Sequence, residues 1–140
     1  MAIKRDAADE WCSKVVRGKA KHTCEFSGRS DGQMHCCHIY GRAAKSVRWS
    51  LDNLVCLRSY QHRYFTENPT EFTRWLEGRY DKHGNWIEGY LGRAHMEMLL
   101  EKKNVLMPTT KQLRKEIAKH YRDEFRKMEA DPAYEPISYN

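Results

Sequence analysis

Only two stretches of this 140-residue chain, "MHCCHIY" and "NLVCL", are short, apolar and suited to extended structure. Everything around them carries helical periodicity or turn chemistry. The simplest arrangement is two short antiparallel strands joined by a long loop that contains Gly41 and Trp49. With helices everywhere else, the fold class is α+β.

Ahead of the strands, Ala8, Trp11, Cys12, Val15 and Val16 recur at helical spacing behind Asp6, a suitable N-cap, which predicts a helix over Ala7–Lys19. "SGRSDGQ" is a loop by composition. From Ser59 the pattern turns helical until Asn68-Pro69, where a new helix can start with proline in its first turn. "PTEFTRWLEGRY" then places Phe72, Trp75, Leu76 and Tyr80 on one helical face. Gly84 breaks that helix. "WIEGYLGRAHMEMLLEKK" predicts another from Trp86, weakened by Gly89 and Gly92. After Pro108, the stripe Leu113, Ile117, Tyr121, Phe125 and Met128 predicts a last helix to about Ala130.

The expected organisation is a single domain. Residues 1–68 form the first helix and the strand core, 69–130 a helical extension packed on it, and 131–140 a tail. The apolar stripe of the last helix needs a cover, either the earlier helices or a second subunit, so a homodimer is one expectation.

A formal charge of +6, from 25 basic and 19 acidic residues, makes a polyanion a natural partner. No apolar run is long enough for a bilayer, and "MAIKRDAADEW" becomes charged at once, so the expectation is a cytoplasmic protein with no membrane partner. Five cysteines at irregular spacing suit reduced thiols or metal ligands better than a disulfide framework.

The crowded "HCCH" at 35–38 is not a compact metal site on a regular strand. Alternation puts His35 and Cys37 on one face and Cys36 and His38 on the other. The longer spacing says more: Asn53 follows His38 by fifteen residues and His62 follows Asn53 by nine. A hairpin packed on the next helix brings strand, strand and helix residues to one place. One imidazole can then deprotonate water, the amide can orient that imidazole, and the other imidazole can ligate a divalent cation. Each also has an ordinary structural role open to it, as a satisfied strand histidine, a strand cap and a surface histidine.

"HIYGR", then "VRWSLDN", then "HRYFTENPTEFTRWL" resembles the HNH (ββα-metal) nucleases of phage, in particular the group of the NinG and Rap recombination proteins. "DEWCSKVVRGKAKHTCEFSG" is similar to that group's entry helix and first zinc knuckle, and the resemblance covers residues 4–100. It implies a ββα-metal core and a phage-encoded, metal-dependent DNA endonuclease acting in recombination or DNA processing in the host cytoplasm. His38 would be the general base, Asn53 its orienting residue and His62 a metal ligand. The cofactor implied is one divalent ion, Mg²⁺, Mn²⁺, Ni²⁺ or Zn²⁺. Its other protein ligands would be Cys37, which stands where many relatives carry a ligand, and His35. Arg42 and Arg48, in the loop between the strands, would hold DNA phosphate.

The chain departs from the family at its structural zinc, for which two Cys-x2-Cys pairs are expected. Here the four positions are Cys24, Ser27, Arg58 and Gln61, so no structural zinc is expected. Cys56 reads as a small buried hydrophobe. The eroded cysteines keep open an alternative, a DNA-binding accessory protein that has retained the fold and lost activity.

Overall fold

The computed structural model describes residues 3–140. In chain order the elements are α1 (Ala7–Lys19), β1 (Met34–His38), a 3-10 turn (Leu51–Asn53), β2 (Leu54–Arg58), α2 (Ser59–Glu67), α3 (Pro69–Leu76), β3 (Gly78–Tyr80), β4 (Trp86–Glu88), α4 (Arg93–Lys103) and α5 (Lys111–Ala130). The architecture is α+β, five helices with two small antiparallel sheets, β1–β2 and β3–β4.

The first helix starts where its chemistry directs. Asp6 accepts from the backbone N–H of Asp9 at 3.1 Å, and the Asp9 carboxylate accepts from the backbone N–H of Asp6 at 2.9 Å, a reciprocal cap. β1 and β2 pair from Met34 opposite Arg58 to His38 opposite Leu54. β2 runs straight into α2, so His38 at the end of one strand, Asn53 at the start of the other and His62 on the helix are carried by three consecutive packed elements.

Val15, Trp49, Val55, Leu57, Phe65 and Tyr121 are at most 3% exposed and tie α1, the loop, β2, α2 and α5 into one core. Trp49 thus closes the core, and its indole N–H donates to Asp9 at 3.0 Å. The apolar stripe of α5 lies on α1, as in the contact of Phe125 with Trp11, so its cover comes from within the chain.

Two stretches differ from the sequence-based expectation. The helix predicted from Trp86 is instead a hairpin followed by α4, and Tyr80, expected on a helix, is on β3. Local turn chemistry outweighs the helical spacing. Asp81 accepts the backbone N–H groups of His83 at 2.8 Å and Asn85 at 2.9 Å, and Gly84 takes φ +79°. Gly89 is not a weak helical residue but a close crossing, since a Cβ there would lie 2.6 Å from the carbonyl carbons of Leu76 and Glu77.

The second difference is that residues 131–140 are strapped to the core. The buried Glu124 accepts from the Tyr134 hydroxyl at 2.8 Å and the Ile137 N–H at 2.7 Å, and the Asn140 amide reaches the Ser46 carbonyl at 2.8 Å. Among the described residues no helix is long and apolar enough to cross a membrane.

A candidate catalytic cleft

A cleft of about 530 Å³ opens where β1, α1, α2 and the loop after β1 meet. His35, Cys36, His38, Arg42 and His62 line one side. Arg5, Asp9, Ser13 and Arg17 line the other.

His38 has a defined tautomer. Its Nε2 lies 3.1 Å from the backbone carbonyl of Arg48. A carbonyl can only accept, so Nε2 carries the hydrogen and, in the neutral ring, Nδ1 keeps its lone pair. Burial lowers the imidazole pKa to about 4, against the support of the Arg48 carbonyl, so the ring is neutral at neutral pH. A neutral imidazole with a fixed free lone pair is suited to take a proton.

Asn53 acts on the backbone rather than on that ring. Fully buried, it accepts the Tyr40 N–H at 2.8 Å through Oδ1 and donates to the Tyr40 carbonyl at 2.9 Å through Nδ2. Its own carbonyl accepts the Ile39 N–H at 2.8 Å. These three bonds fix the chain as it leaves His38. The expected amide-to-imidazole contact is replaced by a loop clamp, because both ends of the amide are taken up by the Tyr40 backbone.

His35 and His62 meet, with Nδ1 atoms 3.0 Å apart and rings crossed at 84°. Two such nitrogens can share one proton, or both lone pairs can face one cation. Ligand atoms about 2.1 Å from an ion and at right angles to one another lie about 3.0 Å apart, so the pair fits two ligands of a single ion. Burial, then the neighbouring His35, lowers the pKa of His62, which favours the neutral, ligating form. Among the described residues no third His, Cys, Asp or Glu joins them in a group able to hold a metal. Water and a phosphate oxygen are the remaining donors open to an ion there.

Two expected site residues lie elsewhere. Cys37 is 4% exposed, packs in the core and is not part of the cleft wall, and burial lifts its thiol to about 12, so the side chain there is a neutral thiol turned away from the cleft lining. Period-two alternation fails here because β1 buries Met34 and Cys37, three residues apart, over its five-residue length. Arg48 is 5% exposed and forms a bidentate pair with Asp9, at 2.6 and 3.1 Å, so its guanidinium is not offered to phosphate. Arg42 does line the cleft.

The contribution of α1 was not anticipated. Arg5, Asp9, Ser13 and Arg17 recur every four residues, a polar stripe on one helical face that the sequence displayed. Asp9 is its anchor. Burial pushes its carboxyl pKa up, but the Arg48 guanidinium and the cap at Asp6 outweigh this and hold it below the usual carboxylate value.

At the positions implied for zinc thiolates, Cys24 accepts the Ser27 N–H at 3.5 Å, while Arg58 donates to Asp31, which also binds Arg29. Comparison with protein-family models, curated proteins and solved structures gives no match for the chain.

Proposed function

We propose that this protein is a metal-dependent DNA endonuclease of the HNH type, and that His38 is its general base. The observation carrying the proposal is the convergence, in one cleft, of a neutral His38 with a free Nδ1 and the 3.0 Å His35–His62 pair. The strand–strand–helix order around them, with Asn53 clamping the loop, supports the same reading.

Nδ1 of His38 takes the proton of the attacking water, and the Arg48 carbonyl steadies the imidazolium that results. Arg42, with Arg5 and Arg17 across the cleft, holds the non-bridging oxygens of the scissile phosphate. His35 and His62 would hold a divalent ion, which when bound would offset charge on the leaving oxygen. Two imidazoles suit Mn²⁺, Ni²⁺ or Zn²⁺ better than Mg²⁺, which prefers oxygen ligands. No structural zinc enters this reading, since of the four positions implied for its thiolates only Cys24 is a cysteine. A phage origin and a role in recombination rest on the sequence resemblance alone.

The test is cleavage of plasmid and branched DNA with each of the four ions, beside His38→Ala. Metal-dependent cutting that disappears in the variant is the expected result. Cutting that survives the substitution removes His38 from the mechanism. The small protein ligand set favours a second reading, a DNA-binding accessory protein without catalysis. Absence of cutting with every ion, together with retained DNA binding, selects it.

A further inference from the structure

A second concave surface lies between α1 and α5, a groove of about 630 Å³ that shares Arg5 with the cleft. Lys4 and Arg5 enter it from the lead to α1. From α5 come Lys111, Arg114, Lys115, Lys119 and Arg122, one helical face by their spacing. Ala8 and Ala118 contribute small side chains to its wall, leaving room between the helices.

The charge distribution is uneven. Seven of the 25 basic residues and one of the 19 acidic ones, Asp6, line this groove, so eighteen of each remain for the rest of the molecule. The chain's whole formal excess of +6 is concentrated there. Four of the seven are met locally, Arg5 by Glu10 at 2.6 Å, Lys119 by Asp123 at 2.9 Å, and Arg114 by Asp6 and Arg122 by Asp123 at 3.7 Å each. Lys4, Lys111 and Lys115 have no ion-pair partner among the described residues. A stripe this long on α5 spans about 17 Å at 1.5 Å per residue, about five base steps of a duplex at 3.4 Å each.

We infer that the α1–α5 groove binds the phosphate backbone of duplex DNA flanking the segment in the cleft, with Arg5 joining the two surfaces. The inference rests on the nuclease reading for the direction of the DNA, but its test needs no cleavage. The occupant is a polyphosphate rather than an apolar ligand or peptide, because the exposed Lys111, Lys115 and Lys119 at one-turn intervals match a regular row of anions.

The experiment measures binding of the full-length His38→Ala protein, in chelator, to a labelled duplex longer than the groove, from about 50 to about 200 mM salt. Adding Lys111→Gln and Lys115→Gln, both exposed, is expected to reduce the slope of log K against log salt by about two. Adding Lys19→Gln and Lys82→Gln, exposed lysines outside the groove, is expected to leave it unchanged. Equal slopes for the two double variants overturn the inference. So does displacement of the duplex by polyglutamate at comparable charge concentration, which would assign the groove to acidic protein. If wild-type protein cuts no DNA yet the slope falls as stated, the nuclease reading fails and the groove stands.

Discussion

The backbone carbonyl of Arg48 holds Nε2 of His38 at 3.1 Å, while the Arg48 side chain is locked to Asp9 on α1. The tautomer of the proposed base is therefore fixed through an ion pair on a different element. Removing one partner leaves the other charge buried, so Asp9→Ala should cost roughly 3–5 kcal/mol in urea unfolding. Replacing both by apolar residues, Asp9→Leu with Arg48→Met, should cost far less than the single change. A double variant as unstable as Asp9→Ala would show that the pair contributes attraction rather than mutual compensation. In that double variant the cleavage rate should still fall, since the loop carrying the carbonyl has lost its anchor.

Stability should fall as pH drops through two separate windows in metal-free protein. For His38 the folded pKa, about 4, is below the ordinary 6.5, so between these values the unfolded chain binds more protons and stability rises with pH. The contribution is fully present above 6.5 and declines by about 1.4 kcal/mol per unit below it until about 4. Asp9 adds a second loss, since its folded pKa is lowered from 3.8: this contribution is present above 3.8 and disappears as pH falls through the folded value. His62, whose pKa burial and His35 also lower, acts in the same direction below 6.5, so His38→Asn should reduce the slope of the upper window and leave the lower one. An unchanged slope between pH 4 and 6.5 would mean that His38 is solvated in the folded protein.

The sequence displayed the scaffold of this site better than its connections. Asp6 as cap and the spacing of Val15 and Val16 place α1 at Ala7–Lys19, and the α5 stripe places the last helix, because both signals are local. The hairpin at Tyr80 and Trp86 escaped because Asp81 and the Gly78–Gly89 crossing act through backbone contacts that side-chain periodicity does not report. His38, Asn53 and His62 were legible as a set from spacing. Their partners were not: the Arg48 carbonyl and the Tyr40 backbone are main-chain groups, and Arg48 resembles any loop arginine until Asp9 is placed beside it.

Asn53 gives a direct measure of the loop clamp. Asn53→Ala leaves the part-buried Tyr40 N–H and carbonyl without their amide partner, and should cost about 2–6 kcal/mol at about 1–3 kcal/mol per orphaned group, toward the lower end because both are part-buried. Asn53→Asp keeps the acceptor and loses the donor, so it should fall between Ala and wild type. If the amide oriented the imidazole directly, the pH dependence assigned to His38 would change in parallel with stability. A clamp instead predicts lower cleavage with the His38 window unmoved.

Metal titration separates the two kinds of histidine and cysteine in "HCCH". With Mn²⁺ or Ni²⁺ followed by calorimetry, His35→Ala and His62→Ala should each weaken binding by more than about tenfold, the loss already typical when only a supporting group is removed. Cys37→Ser should leave the affinity intact and reduce stability by about 1–3 kcal/mol, because a hydroxyl replaces a thiol in an apolar, 4% exposed position. Cys37→Ser abolishing the heat of binding would put the ion on the core side of β1. Equal affinity in wild type, His35→Ala and His62→Ala would instead leave their 3.0 Å contact as a shared proton. A metal-dependent mechanism would then need ligands outside this pair.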